Sequence, residues 1–188
     1  LSRLPASRPG FITSEGERNG IYFFEAVIGD ASMDDALPLV VVLHGRDGRA
    51  QLPGGPFRSL THPIRVISPQ APDRLREGFQ WIPVYVNQGL VDELASTLFR
   101  ATGRVARLIR DVSAERGLVG RPIVTGFSQG AILTLALAIH HDDVVGWAFP
   151  MSGWLPPPLE PAYRRDDLSY PTIRAMHGAA DTTVPITP

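Results

Sequence analysis

The sequence contains no cysteine, and all 18 of its basic residues are arginine. The absence of cysteine excludes disulfides, thiol nucleophiles, iron-sulfur clusters and cysteine-ligated zinc sites. The absence of lysine excludes Schiff-base chemistry and a phosphate-binding loop built on lysine. Serine, histidine and the carboxylates therefore remain as candidates for catalysis. Neither a metal site nor an organic cofactor is predicted.

Long apolar runs and an excess of one charge are also missing. The formal net charge is -1, and no run of like charges points to nucleic acid or an anionic membrane surface. No stretch approaches the roughly 18 uninterrupted apolar residues that a membrane helix needs. We therefore predict a small-molecule partner, no nucleic acid and no membrane span, with a homodimer as a further expectation. Cytoplasmic localisation is expected, although the chain begins with leucine and a removed signal peptide is the alternative.

The chain of 188 residues is 44% hydrophobic, which suits one α/β domain over residues 1–188. Apolar residues recur at intervals of three and four residues from Val91 to Arg116, which predicts an amphipathic helix. The run at 37–45 lacks alternation, as expected for a strand covered on both faces. Strands and helices alternate, so we predict a doubly wound, mainly parallel sheet with helices on both faces. The other predicted elements are an edge strand near Phe11, strands at 21–29, 63–72, 121–127, 144–153 and 171–178, and a helix at 128–140.

In such a sheet, ligands bind at the carboxyl ends of the strands. The proline-rich segment 154–171 is predicted to be a loop over that edge. It would serve either as a substrate rim or as a plain surface connection.

The pentapeptide Gly126–Gly130, GFSQG, fits the pattern G-x-S-x-G. It lies between a β-branched strand and a buried helix, the context in which this pattern places a nucleophilic serine on a sharp turn. Ser128 is therefore the candidate nucleophile, and the Gln129 N–H at the start of the helix is a candidate oxyanion donor. The alternative is that Ser128 only caps the helix.

A hydrolase serine also needs a second oxyanion donor, a base and an acid. The loop after the strand at 37–45 can supply the Arg46 N–H as the donor. His44, in the same loop, either ties the loop down or serves as the base, although the usual triad order places the histidine last. Asp181 follows a later strand, where the order Ser, Asp, His requires the acid, and an Asx turn is its alternative role.

No histidine follows Asp181 in the sequence. His140 and His141 lie at the far end of the helix after Ser128, about 18 Å away at a rise of about 1.5 Å per residue. His62 precedes a strand, and His177 is expected to pack at a strand end. Apart from the alternative role of His44, the sequence therefore offers no histidine placed to serve as the base.

Several motifs together resemble the phospholipase/carboxylesterase branch of the α/β-hydrolases, which includes acyl-protein thioesterases and small bacterial carboxylesterases. The resemblance runs from about Leu37 to Pro185, in the family's order and at about its spacing. The motifs are LHGRDG, SPQAP, GFQW, GFSQG, MSGWLP and HGAADTTVP.

The resemblance implies an α/β-hydrolase fold, with Ser128 as the nucleophile and Asp181 as the triad acid. The Arg46 and Gln129 N–H groups would form the oxyanion hole. A triad histidine is implied beyond Pro188, so the domain is predicted to lack its C-terminal strand and helix. The function implied is a serine hydrolase that cleaves carboxylic esters, or thioesters with the same machinery. The alternative is a catalytically inactive binding protein without a triad histidine.

The sequence departs from the family's pattern at two places besides the histidine. The oxyanion loop reads His-Gly-Arg-Asp-Gly, so Asp47 stands where the family usually has a second glycine. Ile82 and Pro83 stand where the family tends to have an aromatic residue and an aspartate. Trp81 is still predicted to form a wall of the substrate pocket, and His44 is predicted to bind substrate beside it.

Overall fold

The computed structural model describes residues 10–83, 91–161 and 170–184. Nine strands and two α-helices are found there, together with short 3-10 helices at Gly55–Ser59, Asp142–Val144 and Pro157–Leu159. In chain order they are β1 (Phe11–Arg18), β2 (Ile21–Ile28), β3 (Leu39–Leu43), β4 (Ile64–Pro69), β5 (Asp73–Leu75), β6 (Gly78–Gln80), α1 (Val91–Arg116), β7 (Ile123–Phe127), α2 (Gln129–His140), β8 (Trp147–Met151) and β9 (Thr172–Ile173).

The main sheet has the order β1-β2-β4-β3-β7-β8-β9. Strands β4, β3, β7, β8 and β9 are parallel, whereas β1 and β2 extend the sheet as an antiparallel pair. The predicted mainly parallel sheet is therefore confirmed. Since parallel strands share one carboxyl edge, the residues that follow β3, β7, β8 and β9 meet at that edge.

Alternate residues of the strands enter two separate apolar clusters. Leu39 and Val41 pack with α1 and α2 in the larger cluster, whereas Val40 packs with Val66 in the smaller one. Because successive strand side chains point to opposite faces, the two clusters lie on opposite sides of the sheet. The smaller cluster is flanked by Phe57, from the 3-10 helix after β3.

Helix α1 has the predicted bounds. Its buried residues include Leu94, Leu98 and Val105 at helical spacing, and Gly117, which follows the helix, has a φ of 63°. A left-handed glycine just after the last turn is a common way to end a helix. No helix in the described ranges is long and apolar enough to cross a bilayer.

One strand is shorter than predicted, one hairpin was not predicted, and one loop does not lie where it was expected. Strand β9 has only two residues, followed by a single bridge between Met151 and Met176. Strands β5 and β6 form a hairpin that the periodicity did not predict. The segment after β8 does not stay at the carboxyl edge, because Leu159 is buried against the helices and its carbonyl lies 2.8 Å from Nε2 of His140, at the far end of α2. Residues 162–169 of the predicted loop lie outside the described residues.

A charged cluster is buried between the antiparallel strands and α1. Glu25 is 2% exposed and Arg65 is 0% exposed, and their side chains form an ion pair. The second carboxylate oxygen of Glu25 accepts hydrogen bonds from Arg116 and Ser14, both at 3.0 Å. The carboxylate therefore joins β1, β2, β4 and α1.

Candidate active site

Ser128 occupies the junction between β7 and α2. Its φ of 53° and ψ of -117° lie in a region that non-glycine residues rarely adopt. Its N–H donates to the Met151 carbonyl at 3.0 Å, and its own carbonyl accepts from Ala131 and Ile132 at 2.9 and 3.0 Å. Strained backbone of this kind clusters at functional sites. The predicted strand, turn and helix around this serine are confirmed.

The Ser128 side chain does not cap the helix that follows it. It occupies the N-cap position, but it makes no capping hydrogen bond. The residue is only partly buried, and it lies at the carboxyl edge of the sheet. The geometry therefore favours the nucleophile over the alternative of a capping serine.

The glycines on either side of Ser128 are required by the packing of backbone against backbone. A Cβ on Gly126 would lie 2.4 Å from the Gly130 carbonyl, and a Cβ on Gly130 would lie 2.2 Å from the Leu43 carbonyl oxygen. Side-chain rearrangement cannot relieve either contact. The first turn of α2 therefore rests directly on the ends of β7 and β3.

Gly130→Ala is expected to lower the free energy of unfolding by about 1–3 kcal/mol, since its methyl group would overpack a backbone contact. Chemical denaturation measures this loss. Gly103→Ala in α1 is the matched control, because a Cβ there meets nothing within 4 Å. The control should gain up to about 1 kcal/mol from helix propensity. Equal effects at the two positions would contradict the packing explanation.

The loop after β3 lies against the elbow at Ser128. A Cβ on Gly45 would be 3.2 Å from the Phe127 carbonyl oxygen and 3.5 Å from Cβ of Ser128. Arg46 follows at once, so the structure brings the predicted donor loop and the predicted nucleophile together. The next residue, Asp47, has a φ of 58°. It takes the left-handed conformation at the position where the resemblance implied a glycine.

His44 is held at both ring nitrogens. Nε2 accepts the Ala71 N–H at 3.1 Å, and the Gln70 amide lies 3.1 Å from the same atom. Since Gln70 Oε1 accepts the Ala50 N–H, its NH₂ group faces the ring. The ring proton is therefore on Nδ1, which lies 2.7 Å from the Gly45 carbonyl. Burial lowers the pKa of His44, against the opposing effect of the Gly45 carbonyl.

Through these bonds His44 fixes the position of the donor loop. A ring whose Nε2 already accepts a backbone N–H is not available as a general base for Ser128. A contact between His44 and substrate stays a prediction.

The Gln129 side chain links the elbow to the segment after β6. It is 4% exposed, its Oε1 accepts the backbone N–H of Trp81 at 3.0 Å, and its Nε2 donates to the Ile82 carbonyl at 2.7 Å. The Trp81 indole N–H in turn donates to the His44 carbonyl at 2.9 Å. One chain of hydrogen bonds therefore connects the two candidate oxyanion donors. Trp81 is itself 2% exposed, and its role as a pocket wall stays a prediction.

Trp81→Phe is expected to destabilise the protein by about 1 kcal/mol more than Trp154→Phe, because it leaves the part-buried His44 carbonyl without its donor. Trp154 is the matched control, since its buried indole N–H has no hydrogen-bond partner among the described residues. Both changes remove the same atoms, and denaturant titration of the two variants isolates the bond. A larger loss at Trp154 would contradict this account.

Asp181 lies on the loop after β9. Its Oδ1 accepts the N–H groups of Val184 and Thr183, both at 3.0 Å. These two donors, Val184 first, lower the pKa of Asp181, and a hydrogen bond from the Ser152 side chain lowers it further. The predicted Asx turn is therefore present, and it keeps the carboxyl ionised. An ionised carboxylate is what a triad acid requires.

Strand β8 connects the loop of Asp181 to the candidate nucleophile, Ser128. The Met151 carbonyl accepts the Ser128 N–H, and the next residue, Ser152, contacts Asp181 through its side chain. The sequence did not identify Ser152 as a candidate site residue. Its φ is 53°, and nothing in the motif MSGWLP indicates this left-handed conformation.

No histidine of the described residues bonds the Ser128 hydroxyl. His177 lies beyond the short strand β9 rather than at its end, with Nε2 2.6 Å from the Val184 carbonyl and 3.7 Å from Asp181 Oδ2. His140 and His141 lie at the far end of α2, as expected. In the same ranges, no group of three or more histidine, aspartate or glutamate side chains could hold a metal ion.

Comparison with known proteins connects this geometry to a family. The family model described as Phospholipase/Carboxylesterase matches residues 26–187. The chain belongs to the phospholipase/carboxylesterase family. It is therefore a carboxylesterase-type enzyme, a hydrolase that acts on esters. No curated protein sequence matches it.

Solved structures share the fold of this carboxylesterase-family chain. The esterase PE8 is similar with a TM-score of 0.65 at 23% identity, over 82% of this chain and 75% of that one. A Bacillus cereus carboxylesterase gives 0.62 at 14% identity, over 89% and 74%. A phospholipase/carboxylesterase from Dyadobacter fermentans gives 0.60 at 22% identity, over 97% and 78%. At these identities the likeness shows the α/β-hydrolase fold.

Proposed function

We propose that this carboxylesterase-family enzyme cleaves carboxylic esters through an acyl-enzyme formed on Ser128. The observation that carries the proposal is the conformation of Ser128, which stands at the N-terminus of α2 with a φ of 53° and a hydroxyl that makes no cap. The free N–H groups and the positive dipole end of the helix favour negative charge at the reacting oxygen.

In the proposed reaction, Ser128 Oγ attacks the ester carbonyl while a base takes its proton. The negative oxygen is stabilised by the N–H groups of Arg46 and Gln129. Collapse of this intermediate breaks the bond to the alkoxy oxygen, which leaves as the alcohol with the proton from the base. Water then attacks the acyl-serine while the same base takes its proton. Collapse of this second intermediate breaks the bond to Ser128 Oγ, which takes the proton back from the base as the carboxylic acid is released.

We assign the role of triad acid to Asp181. The resemblance to the family implies a histidine beyond Pro188, and we propose that histidine as the base. The ionised Asp181 carboxylate would hold that imidazole in the tautomer that can accept the serine proton. Reading the codons after Pro188 tests this assignment, and a coding sequence without a histidine there would remove it.

Covalent labelling of the full chain tests the proposed nucleophile. A fluorophosphonate should form one adduct, which peptide mass spectrometry should locate on Ser128. Hydrolysis of nitrophenyl acetate and nitrophenyl decanoate then measures activity and acyl-length preference. An adduct on another residue would contradict the nucleophile, and a chain that binds esters without hydrolysing them would support the inactive binding protein instead.

Thioester cleavage would use the same serine and oxyanion donors. Release of a thiol from an acyl thioester can be followed with a thiol reagent. The 188 residues contain no cysteine, so they contribute no background to this assay.

A further inference from the structure

The donor loop is joined to the hairpin β5–β6 by three hydrogen bonds, one of which belongs to an antiparallel bridge between Gly48 and Phe79. Asp47 Oδ1 accepts the Gly78 N–H at 3.0 Å, and the Gly48 carbonyl accepts the Phe79 N–H at 2.9 Å. The Arg46 guanidinium donates from Nε to Gln80 Oε1 at 3.3 Å. The hairpin therefore holds three consecutive residues of the loop that follows His44-Gly45.

Asp47 has two structural roles at this junction. Its φ of 58° is the left-handed conformation, which aspartate tolerates better than most residues. Its carboxylate also bonds the hairpin backbone. The peptide bond that carries the Arg46 N–H is one residue away, so a change in the backbone at Asp47 redirects the loop around that N–H.

The hairpin has room for Asp47 because of Gly78. A Cβ at position 78 would lie 2.2 Å from the Asp47 carbonyl oxygen and 2.8 Å from the Gly48 carbonyl oxygen. No rotamer change can relieve contacts with backbone oxygens. The approach of the hairpin to the loop is thus as close as the backbone allows.

We infer that Asp47 is a positioning residue for ester hydrolysis, because its carboxylate and left-handed backbone, held by hairpin β5–β6, set the direction of the Arg46 N–H. The inference rests on the proposed function, since it needs that N–H to serve the oxyanion. Asp47 acts through the loop and does not touch substrate. It should therefore affect the transition state more than ground-state binding.

Three substitutions in the full chain separate the two roles of Asp47. Asp47→Asn keeps both the acceptor and the left-handed tolerance, so kcat for nitrophenyl acetate should stay within about threefold of the unaltered protein. Asp47→Ala loses both, and kcat should fall about tenfold to 100-fold, because a small displacement of a reacting group has effects of this size. Asp47→Gly keeps the backbone freedom but loses the acceptor, and it should lie between them. In all three, KM should change less than kcat.

Asn19→Ala is the matched control for a loss of stability alone. Asn19 lies in the turn between β1 and β2 and also has a positive φ, of 54°. Its side chain donates a hydrogen bond to Asp111 in α1. The melting temperature of this variant should fall by about as much as that of Asp47→Ala, while its kcat stays unchanged. If Asp47→Ala does not fold, the comparison of Asp47→Gly with Asp47→Asn replaces it.

The outcomes separate the inference from the proposed function. Ser128-dependent hydrolysis with an unchanged kcat in Asp47→Ala or Asp47→Gly overturns only the positioning role. An equal loss of kcat in Asn19→Ala also overturns it, because the effect would then follow stability. An unaltered protein that hydrolyses no ester overturns both.

Discussion

Ser128→Ala should reduce kcat for ester hydrolysis by about 10⁶, the size of loss found when a serine hydrolase loses its nucleophile. The substitution removes the only atom that the proposed mechanism bonds to the acyl group. The Ser128 hydroxyl makes no capping bond, so its loss should leave the fold unchanged. The measurement is hydrolysis of nitrophenyl acetate by the full chain, with an unfolding curve recorded for both proteins.

A fluorophosphonate should no longer label the Ser128→Ala variant. Ser113→Ala is the matched control, because its hydroxyl donates to the Ile109 carbonyl within α1, away from the carboxyl edge. Hydrolysis that survives at an unchanged rate in Ser128→Ala would remove this residue from the reaction.

Glu25→Ala should lower the free energy of unfolding by about 3–5 kcal/mol, because it leaves a buried arginine without its counter-charge. Arg65 is 0% exposed, and within the described part of the chain its remaining side-chain bonds reach the carbonyls of Met33 and Asp35, at 2.9 and 3.0 Å. Neutral carbonyls offset a guanidinium charge less well than a carboxylate does. Guanidinium-chloride or urea unfolding, followed by tryptophan fluorescence, measures the loss.

Glu115→Ala provides the control for Glu25→Ala. Glu115 pairs with Arg18 at 2.8 Å, but both side chains are exposed, at 43% and 39%. Exposed pairs contribute about 0–1 kcal/mol. If both substitutions cost the same, burial is not what makes the Glu25 pair important.

Features with a strong local signal could be predicted from the sequence. The helix Val91–Arg116 follows from apolar spacing and a terminal glycine, which act within single turns. The elbow at Ser128 follows from two glycines between a strand and a helix. In both cases, residues near one another in sequence determine the conformation.

Features that depend on distant partners could not be predicted. Glu25 and Arg65 are 40 residues apart in the chain, and each alone is typical of an exposed strand residue. The side chains of Gln129 and Ser152 act on segments brought together only by the sheet order. Hairpin β5–β6 has strands of three residues, too short to show periodicity.

The departure at Asp47 shows how a sequence motif can change while the loop keeps its conformation. Sequence comparison treats aspartate in place of glycine as a difference in the oxyanion loop. In the structure, the aspartate adopts the left-handed conformation and gains a bond to Gly78 that glycine cannot make. The feature that matters at this position is the positive φ, and the identity of the residue alone does not show it.

The close contacts of α2 with the strands also limit how this enzyme can evolve. Gly126, Gly130 and Gly153 each lie so near to backbone or to Ala131 that a single added carbon would approach within 2.5 Å. What is constrained at these positions is the absence of a side chain, because the neighbouring atoms leave no room for one. Descendants of this sequence can vary what surrounds the proposed nucleophile and so acquire new substrates, but a methyl group at any of the three glycines would require the helix to move.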